Sequence, residues 1–519
     1  MPGFRLSKTT YLQGRQCPLR LWLRSQGEEE PLVDGASDAV EDYVEQAELV
    51  ERIAERRFPG GVLVGGGEAH GSNSITWAAE RAVAQSLVQD PNVPALFQMP
   101  LSTDDLTGRT DILARARDGW IVYEIKASSE VKPLFYWDLA FQWLLAEACG
   151  LPVVGARVLH LDKNYLYLGG EADPWGLLVD VDCTAEVSNR LDEVRTEIDE
   201  LLAVVRRSAP PQVNPGRHCF GQRDDPNGRR PSDCGHLRPS GHCETQVPEN
   251  WSLRLPRLSA AKKKYVSCPG NWQIEDLDPD DGDANWTELQ ERVIRAVQCG
   301  QPFVDRERLQ QELATLRWPV SYMDFEFEPA CAVPPFPGMR PNQKLPFQWS
   351  VKIQEAPAAA LRDATPFLHA ATSDPRGDFV AALLEALPDR GSIVVHFQAA
   401  ESSVLNLYSE WLEGRYRAEC QQLIGRMFDT CELSRQSFYD PRMQCSFSIK
   451  KLAPALLGQG YEHLTIQDGM EAVRQWRRLI CAETSDAERN QIRNDLIVYC
   501  GQDTELMHAI VERYRELAG

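Results

Sequence analysis

Apolar residues recur at helical spacing over 36–57 (ASDAVEDYVEQAELVERIAERR) and 73–89, whereas 95–101, 109–116 and 119–126 show the short apolar runs of strands. The same reading predicts a helix over 133–149, strands near 153–160 and 164–168, and a closing helix over 184–207. Residues 208–248 break the pattern. Pro, Gly, Arg and Cys replace any hydrophobic period there, so the segment buries no core of its own and needs a staple. Residues 249–316 read as a small helical connector, with helices over 286–299 and 305–315. A second alternating pattern fills 317–519, with strands at 320–326, 347–353 and 392–397 and helices at 376–387, 399–412, 447–457, 469–481 and 486–514. The expected fold class is α/β, in three parts: 1–248, 249–316 and 317–519. No internal repeat is visible.

Length and composition fit this reading. A chain of 519 residues suggests two to four domains, and 43% hydrophobic with 25% charged residues is the balance of a soluble globular protein. No apolar run is long enough to span a membrane, and the first 24 residues lack the apolar stretch of a secretory signal, so a cytoplasmic protein is expected. The net charge of −21 argues against a passive coat for nucleic acid. Local fields differ from the average, since Arg5, Lys8, Arg15, Arg20 and Arg24 open the chain without an acid among them, and Lys262, Lys263 and Lys264 form a second basic run. Of the 14 cysteines, Cys149, Cys299, Cys481 and Cys500 sit in apolar surroundings and read as small core residues.

Two constellations carry chemistry. On a strand, Asp324 and Glu326 point the same way, and two neighbouring carboxylates repel each other unless a hard cation such as Mg²⁺ or Mn²⁺ joins them. The flanking Val320, Met323, Phe325 and Phe327 suit a buried strand rather than a solvated edge. Near the other end, Tyr499 and Asp503 are four apart on a helix and share a face. Taken alone, either pair also fits an exposed acidic surface. Together they resemble the DnaQ-like 3′–5′ exonucleases of the ribonuclease H-like fold, in the tyrosine (DEDDy) subclass, which carry D-x-E on the first strand and Y-x3-D on the last helix. The resemblance covers 317–519 and implies Glu401 as the middle acid, although this chain has Phe397 and Ala400-Glu401 where the family has Asn and Phe-Asp. Asp429 competes for a place near the metals. The implied mechanism is two-metal hydrolysis of a phosphodiester, with the acids holding cations about 4 Å apart and Tyr499 orienting the attacking water.

In the N-terminal part, Asp111 and the pair Glu124 and Lys126 lie on adjacent predicted strands, a pattern in which two acids hold a cation and the lysine polarises water or phosphate. The bland alternative is a surface hairpin with a Glu–Lys pair. The pattern resembles PD-(D/E)XK nucleases of the RecB type, which have a restriction-endonuclease-like fold, and Gln142 matches the glutamine they carry on the next helix. Ala146 stands where that family has a tyrosine and Gln98 where it often has an acid; Glu48 or Glu51 is a candidate additional ligand. Cys17 together with Cys219, Cys234 and Cys243 resembles the ligand set of iron–sulfur RecB-like exonucleases, which implies a [4Fe–4S] cluster pinning the two ends of the domain. Zinc is the alternative, because His218, His236 and His242 neighbour those cysteines; free thiols are the third reading.

The whole chain thus resembles a bacterial family that fuses an iron–sulfur RecB-like half to a DnaQ-like half. The resemblance implies a metal-dependent nuclease acting on single-stranded or end-exposed nucleic acid, DNA before RNA, in repair or antiviral defence, with Lys450 and Lys451 near the backbone of the substrate. The competing expectation is a nucleic-acid-binding or assembly subunit with one or both sites degenerate, and RNA trimming is a third. No membrane partner is expected; a basic protein partner that delivers substrate would suit the acidic charge.

Overall fold

The structure is a computed structural model that describes residues 4–31, 36–64, 74–220, 234–267, 270 and 272–519. It is a mixed α/β protein that divides into two compact units: residues 1–247 with 332–342, and residues 248–331 with 343–519. Among the described residues no helix is long and apolar enough to cross a membrane.

The first unit begins with β1 (Leu6–Ser7), α1 (Lys8–Gln16), α2 (Pro18–Ser25), α3 (Ala36–Glu55), β2 (Val62–Leu63) and α4 (Ser74–Gln89). There follow β3 (Ala95–Ser102), β4 (Leu106–Arg115), β5 (Trp120–Lys126), α5 (Pro133–Ala148), β6 (Val153–Leu161), α6 (Pro174–Leu177), β7 (Leu178–Asp182), α7 (Thr184–Ser188) and α8 (Leu191–Val205). The sheet runs β2-β3-β4-β5-β6-β7, with β1 added parallel to β4. β5 and β6 are parallel and α5 connects them, which is the expected crossover for parallel neighbours. α5 is apolar almost all round (PLFYWDLAFQWLLAEA) and buries Phe141, Leu139 and Leu145 against the sheet, so its polar Asp138 and Gln142 are enclosed as well.

Two expectations for this unit are corrected. Residues 164–168 alternate Tyr and Leu but form no strand: Leu166 and Leu168 are exposed, and the Tyr167 backbone pairs with Met339 and Gly338 of the 332–342 segment instead. The strand beside β6 is β7, further along. The single helix expected over 184–207 breaks at Asn189–Arg190 into α7 and α8.

The second unit contains α9 (Ala260–Tyr265), α10 (Glu288–Cys299), β8 (Phe303–Val304), α11 (Arg306–Leu313), β9 (Val320–Cys331), β10 (Gln343–Gln354), β11 (Leu361–Asp363), β12 (Phe367–Leu368) and α12 (Arg376–Ala386). It continues with β13 (Ile393–Val395), α13 (Ala399–Leu407), α14 (Arg417–Ile424), β14 (Met427–Asp429), α15 (Thr430–Ser437), β15 (Phe438–Tyr439), α16 (Ile449–Leu457), α17 (Gly469–Ile480) and α18 (Asp486–Ala518). Its main sheet is ordered β11-β10-β9-β13-β14: antiparallel on the β10 side and parallel from β9 through β13 to β14. α18 packs on β9 and β10, burying Leu496, Tyr499, Cys500 and Asp503 on one stripe. The stretch expected to be a small helical connector, 249–316, thus shares a compact unit with this sheet. Cys500 is buried, as its apolar surroundings suggested, but Cys299 and Cys481 are exposed and Cys149 only partly covered. Cys299 closes α10 and Cys481 follows α17, positions where a helix end turns toward solvent.

Candidate metal centres

Three clusters of ligand-type side chains stand out, two in the first unit and one in the second.

In the second unit, β9 is the central strand of the sheet and α18 lies across it. The i, i+2 period of β9 puts Asp324 and Glu326 on the face that α18 covers, and the i, i+4 period of α18 brings Tyr499 and Asp503 to the same place. Ligand atoms of Asp324, Glu326 and Cys500 lie within 4.8 Å of one another. Glu326, Asp503 and Glu401 are 7%, 8% and 3% exposed, while Asp324 is partly open. Burial, together with the charges of Asp503, Glu326 and Glu401, raises Asp324 well above the usual carboxylate range. Glu326 is raised in the same way, by burial and then by Asp503. Glu401 is pushed up to about 8 by burial, with Asp429 and Asp503 adding to it. Asp503 rises to about 6 through burial, against the pull of a hydrogen bond donated by the Tyr461 hydroxyl to its Oδ1 and of the Lys450 charge. One carboxylate oxygen, Glu401 Oε2, is buried without a hydrogen-bond partner. Four carboxylates crowded together, one with an orphaned oxygen, form an oxygen-donor set that a hard divalent cation would satisfy.

The structure therefore brings Asp324, Glu326, Glu401, Tyr499 and Asp503 together. Asp429 stands apart in role. Its Oδ1 accepts from the backbone N–H of Phe397 at 3.0 Å and of Cys431 at 2.8 Å, and its Oδ2 from Gln398 at 3.0 Å, so it caps α15 and ties down the turn before α13. Its charge nonetheless reaches Glu401. Lys450 enters the site: its Nζ donates to Gln467 O and lies 5.5 Å and 5.7 Å from the ring centres of Tyr461 and Tyr499. Burial lowers its pKa while Asp468, Asp503, Glu326 and Asp324 oppose the shift. Lys451 instead bonds Gln444 at 3.0 Å. Tyr461, Cys500 and Lys344 were not anticipated. Lys344 Nζ bonds Ser403 Oγ at 2.7 Å, and the Glu401 charge is felt there. Cys500 was legible as the residue after Tyr499; Tyr461 lies in a loop with no periodic signal.

In the first unit, β4, β5 and α5 assemble the other acid cluster. Asp111 Oδ2 accepts from Ile125 N–H at 2.8 Å. Glu124, 1% exposed, accepts from Lys8 Nζ at 2.9 Å, from Lys126 Nζ and from Gln142 Nε2. Asp138 faces the same two lysines, at 3.5 Å from Lys8 and 3.2 Å from Lys126. Burial alone would raise Glu124, but Lys126 and Lys8 overcome it and hold it well below the usual range. Asp111 is pushed up to about 7 by burial and the Glu124 charge. Glu51 of α3 is pushed to about 8 by burial, then by Asp111 and Glu124, and its Oε2 accepts from Gln98 Nε2 at 2.8 Å. Glu48 instead neighbours Arg52 at 3.7 Å. Thus Asp111, Glu124, Lys126 and Gln142 are together, Glu51 joins them, and Lys8 and Asp138 complete the cluster. Asp138 had a signal, four residues before Gln142 on one helix face; Lys8 arrives from more than a hundred residues away and had none.

The third cluster lines one pocket with Cys17, Cys219, Cys234, Cys243, His218 and His236. All four cysteines are buried free thiols. Burial pushes Cys219 up to about 12, and Cys234, Cys17 and Cys243 add to it, so the four thiols feel one another. The local frame is built from short turns. Cys17 ends α1, Cys219 lies in the turn Arg217–Phe220, and Cys234 and Cys243 each precede one. Cys234 N–H donates to Cys219 O at 2.9 Å and Cys243 N–H to His236 O at 2.8 Å. Arg20 forks onto Glu30, whose Oε2 accepts from Gly235 N–H at 2.9 Å, and Gln16 Nε2 donates to His218 O at 2.9 Å. His236 is 2% exposed, with neither ring nitrogen hydrogen-bonded and Nδ1 3.9 Å from Glu28 Oε1. Among the described residues the group whose ligand atoms all lie within 4.8 Å is the Asp324 one, not this one. Sulfurs on a single tetrahedral zinc, at about 2.3 Å from the metal, would sit closer together than that.

Residues 321–448, which carry Asp324, Glu326 and Glu401 but neither Tyr499 nor Asp503, match a family described as a domain of unknown function (DUF2779). No curated protein matches the chain.

Proposed function

We propose that the protein is a metal-dependent nuclease whose catalytic centre is the Asp324, Glu326, Glu401 and Asp503 cluster, in a ribonuclease H-like, DnaQ-like second unit. The observation that carries this reading is four mutually repelling carboxylates, three of them buried, on a strand and helix that also present a tyrosine. Mg²⁺ or Mn²⁺ held there would supply Lewis-acid activation of water and stabilisation of the leaving oxygen. The chain's own residues then position and protect. Tyr499 is 3% exposed, and burial with the charges of Glu326 and Asp503 raises its hydroxyl far above neutrality, so it acts as a protonated hydrogen-bond donor that orients a water rather than as a base. Tyr461 holds Asp503 in place. Lys450 and Lys344 bring positive charge beside the acids, where a substrate phosphate would lie.

For the first unit, read as RecB-like and PD-(D/E)XK, the same logic gives a different result. Lys8 and Lys126 already neutralise Glu124 and Asp138, and Gln98 stands where an acid would complete a cation site. That observation favours the alternative for this unit alone: a nucleic-acid-binding role with a weakened or silent site. The cysteine pocket suits a [4Fe–4S] cluster because four buried thiols line a common space; His218 Nε2, 3.6 Å from Cys219 Sγ, is the contact that favours zinc. On the same reading the nuclease serves DNA repair or defence and receives its substrate with the help of a protein partner.

The test is degradation of single strands labelled at one end, DNA beside RNA, in Mg²⁺ or Mn²⁺. A 3′–5′ exonuclease releases a 3′ label at once as mononucleotide and shortens a 5′-labelled strand into a ladder, and chelation stops both. Release of the 5′ label first, or undiminished cleavage in chelator, would refute the reading.

A further inference from the structure

Resting on the nuclease reading of the second unit, we propose that Phe397 is a stacking platform for a nucleobase beside the Asp324 cluster, and that it selects single strands. Phe397 is an outlier in two respects. Its φ is +75°, a left-handed conformation that a bulky side chain rarely adopts, and its side chain is 49% exposed. Strained backbone persists where the surrounding structure over-determines it, and it clusters at functional sites; here the residue is half in water, so packing of the ring does not explain the conformation.

The surrounding residues enforce it nonetheless. Asp429 Oδ1 accepts from Phe397 N–H and Oδ2 from Gln398 N–H, each at 3.0 Å. The preceding His396 ring is fixed at both nitrogens, to Thr430 Oγ1 at 3.0 Å and to Phe447 O at 2.9 Å. One carboxylate and one imidazole thus hold an apolar ring out at the end of β13.

Its place relative to the acids follows from the sheet. β13 runs parallel to β9 with Val394 opposite Tyr322, two residues before Asp324, and the turn that follows β13 carries Phe397 between that strand and the helix of Glu401. Glu401 follows one helical turn later on α13. The Arg435 guanidinium lies 5.8 Å from the Phe397 ring centre, adding a cation near the exposed ring. An aromatic face with a nearby guanidinium is the recognition chemistry of an unstacked base and its phosphate. A base inside a duplex has both faces covered and cannot use such a platform.

The experiment measures cleavage of single-stranded and duplex oligonucleotides in Mn²⁺, and binding of a fluorescent phosphorothioate-linked oligothymidine in Mg²⁺, for the full chain and for Phe397→Ala, Phe397→Leu and Phe397→Trp. The expected result is that Ala and Leu raise KM and Kd for single strands about 5- to 100-fold with kcat little changed, that Trp keeps wild-type values, and that the preference for single strands over duplex shrinks with Ala and Leu. Thermal melting and Mn²⁺ binding should match wild type in the Leu variant, which separates lost stacking from lost folding. If wild type binds and cuts but Phe397→Leu does so with unchanged KM and strand preference, the platform is overturned while the nuclease reading stands. If wild type neither binds nor cuts, both fall together.

Discussion

Asp324 sits among like charges, with Asp503, Glu326 and Glu401 all raising its pKa on top of burial. The consequence is a pH-dependent stability of metal-free protein. Glu401 titrates near 8 when folded and near 4.5 when unfolded, so between these values the folded state holds the proton that the unfolded state has lost. Its contribution is therefore complete at low pH and lost as pH rises toward 8; Glu51, also near 8, and Asp111, near 7, act in the same direction. The melting temperature of chelator-treated protein is expected to fall from pH 5 to pH 8, and Mg²⁺ or Mn²⁺ to restore it at pH 8; a flat metal-free profile would contradict this. At pH 8 without metal, Asp324→Asn relieves repulsion and should raise the melting temperature by about 2–4 °C, while removing the gain that divalent cation gives wild type. Much of this site was legible locally. The i, i+2 spacing on a strand named Asp324 and Glu326, and the i, i+4 spacing on a helix named Tyr499 and Asp503. Tyr461, Lys8 and Lys344 were not legible, because each reaches its cluster through tertiary folding and leaves no periodic trace. The cap that Asp429 forms was not legible for a related reason: its Phe-Asp context fits a metal neighbour and a helix cap equally, and the backbone N–H groups around it reveal the cap.

At the scale of elements, α1 is the most informative. Its first residue, Lys8, reaches Glu124 and Asp138, and the residue that ends it, Cys17, lines the cysteine pocket. Nine residues of helix, about 13 Å, thus join a candidate cofactor site to a candidate phosphate-handling site. Cys17→Ser should lower bound iron and acid-labile sulfide in anaerobically purified protein and speed amide exchange along α1; full metal content in that variant would remove the pocket from the account. A second element-scale prediction concerns β13, whose approach turns through Gly391 at φ +93°, where a Cβ would overlap the Pro319 backbone. Gly391→Ala should cost more than about 2 kcal/mol in denaturant unfolding, because β13 and the Phe397 turn it carries would have to shift. The long periodic elements, β9, β10, α5 and α18, were readable from the chain. β14 and α15 were not, since a three-residue strand followed at once by a helix gives neither period room to show. The 164–168 stretch shows the converse: a good strand pattern satisfied by backbone bonds to Gly338 and Met339 instead of a sheet.

On the scale of the whole molecule, the charge of −21 sets the terms of any contact with nucleic acid. Few phosphates can be neutralised by such a chain directly, so binding should show a shallow salt dependence, with log K against log salt falling by only about 1 to 3, and should weaken sharply in chelator. A steep slope that persists in chelator would point to a basic surface independent of both acid clusters. The division into an α/β unit with a cysteine-rich end and a second α/β unit was visible in the alternation of elements; that residues 332–342 belong with the first unit was not, because nothing in a single sequence marks where a long hairpin connection packs. Both units carry a cluster of acids, and we assign cleavage to the second. The most direct measurement is cleavage of end-labelled single-stranded DNA in Mn²⁺ by wild type, Asp324→Ala and Asp111→Ala side by side. Asp324→Ala is expected to lose at least about a thousandfold of the rate and Asp111→Ala to retain most of it. Full activity in Asp324→Ala with loss in Asp111→Ala would move the catalytic centre to the first unit and contradict the account.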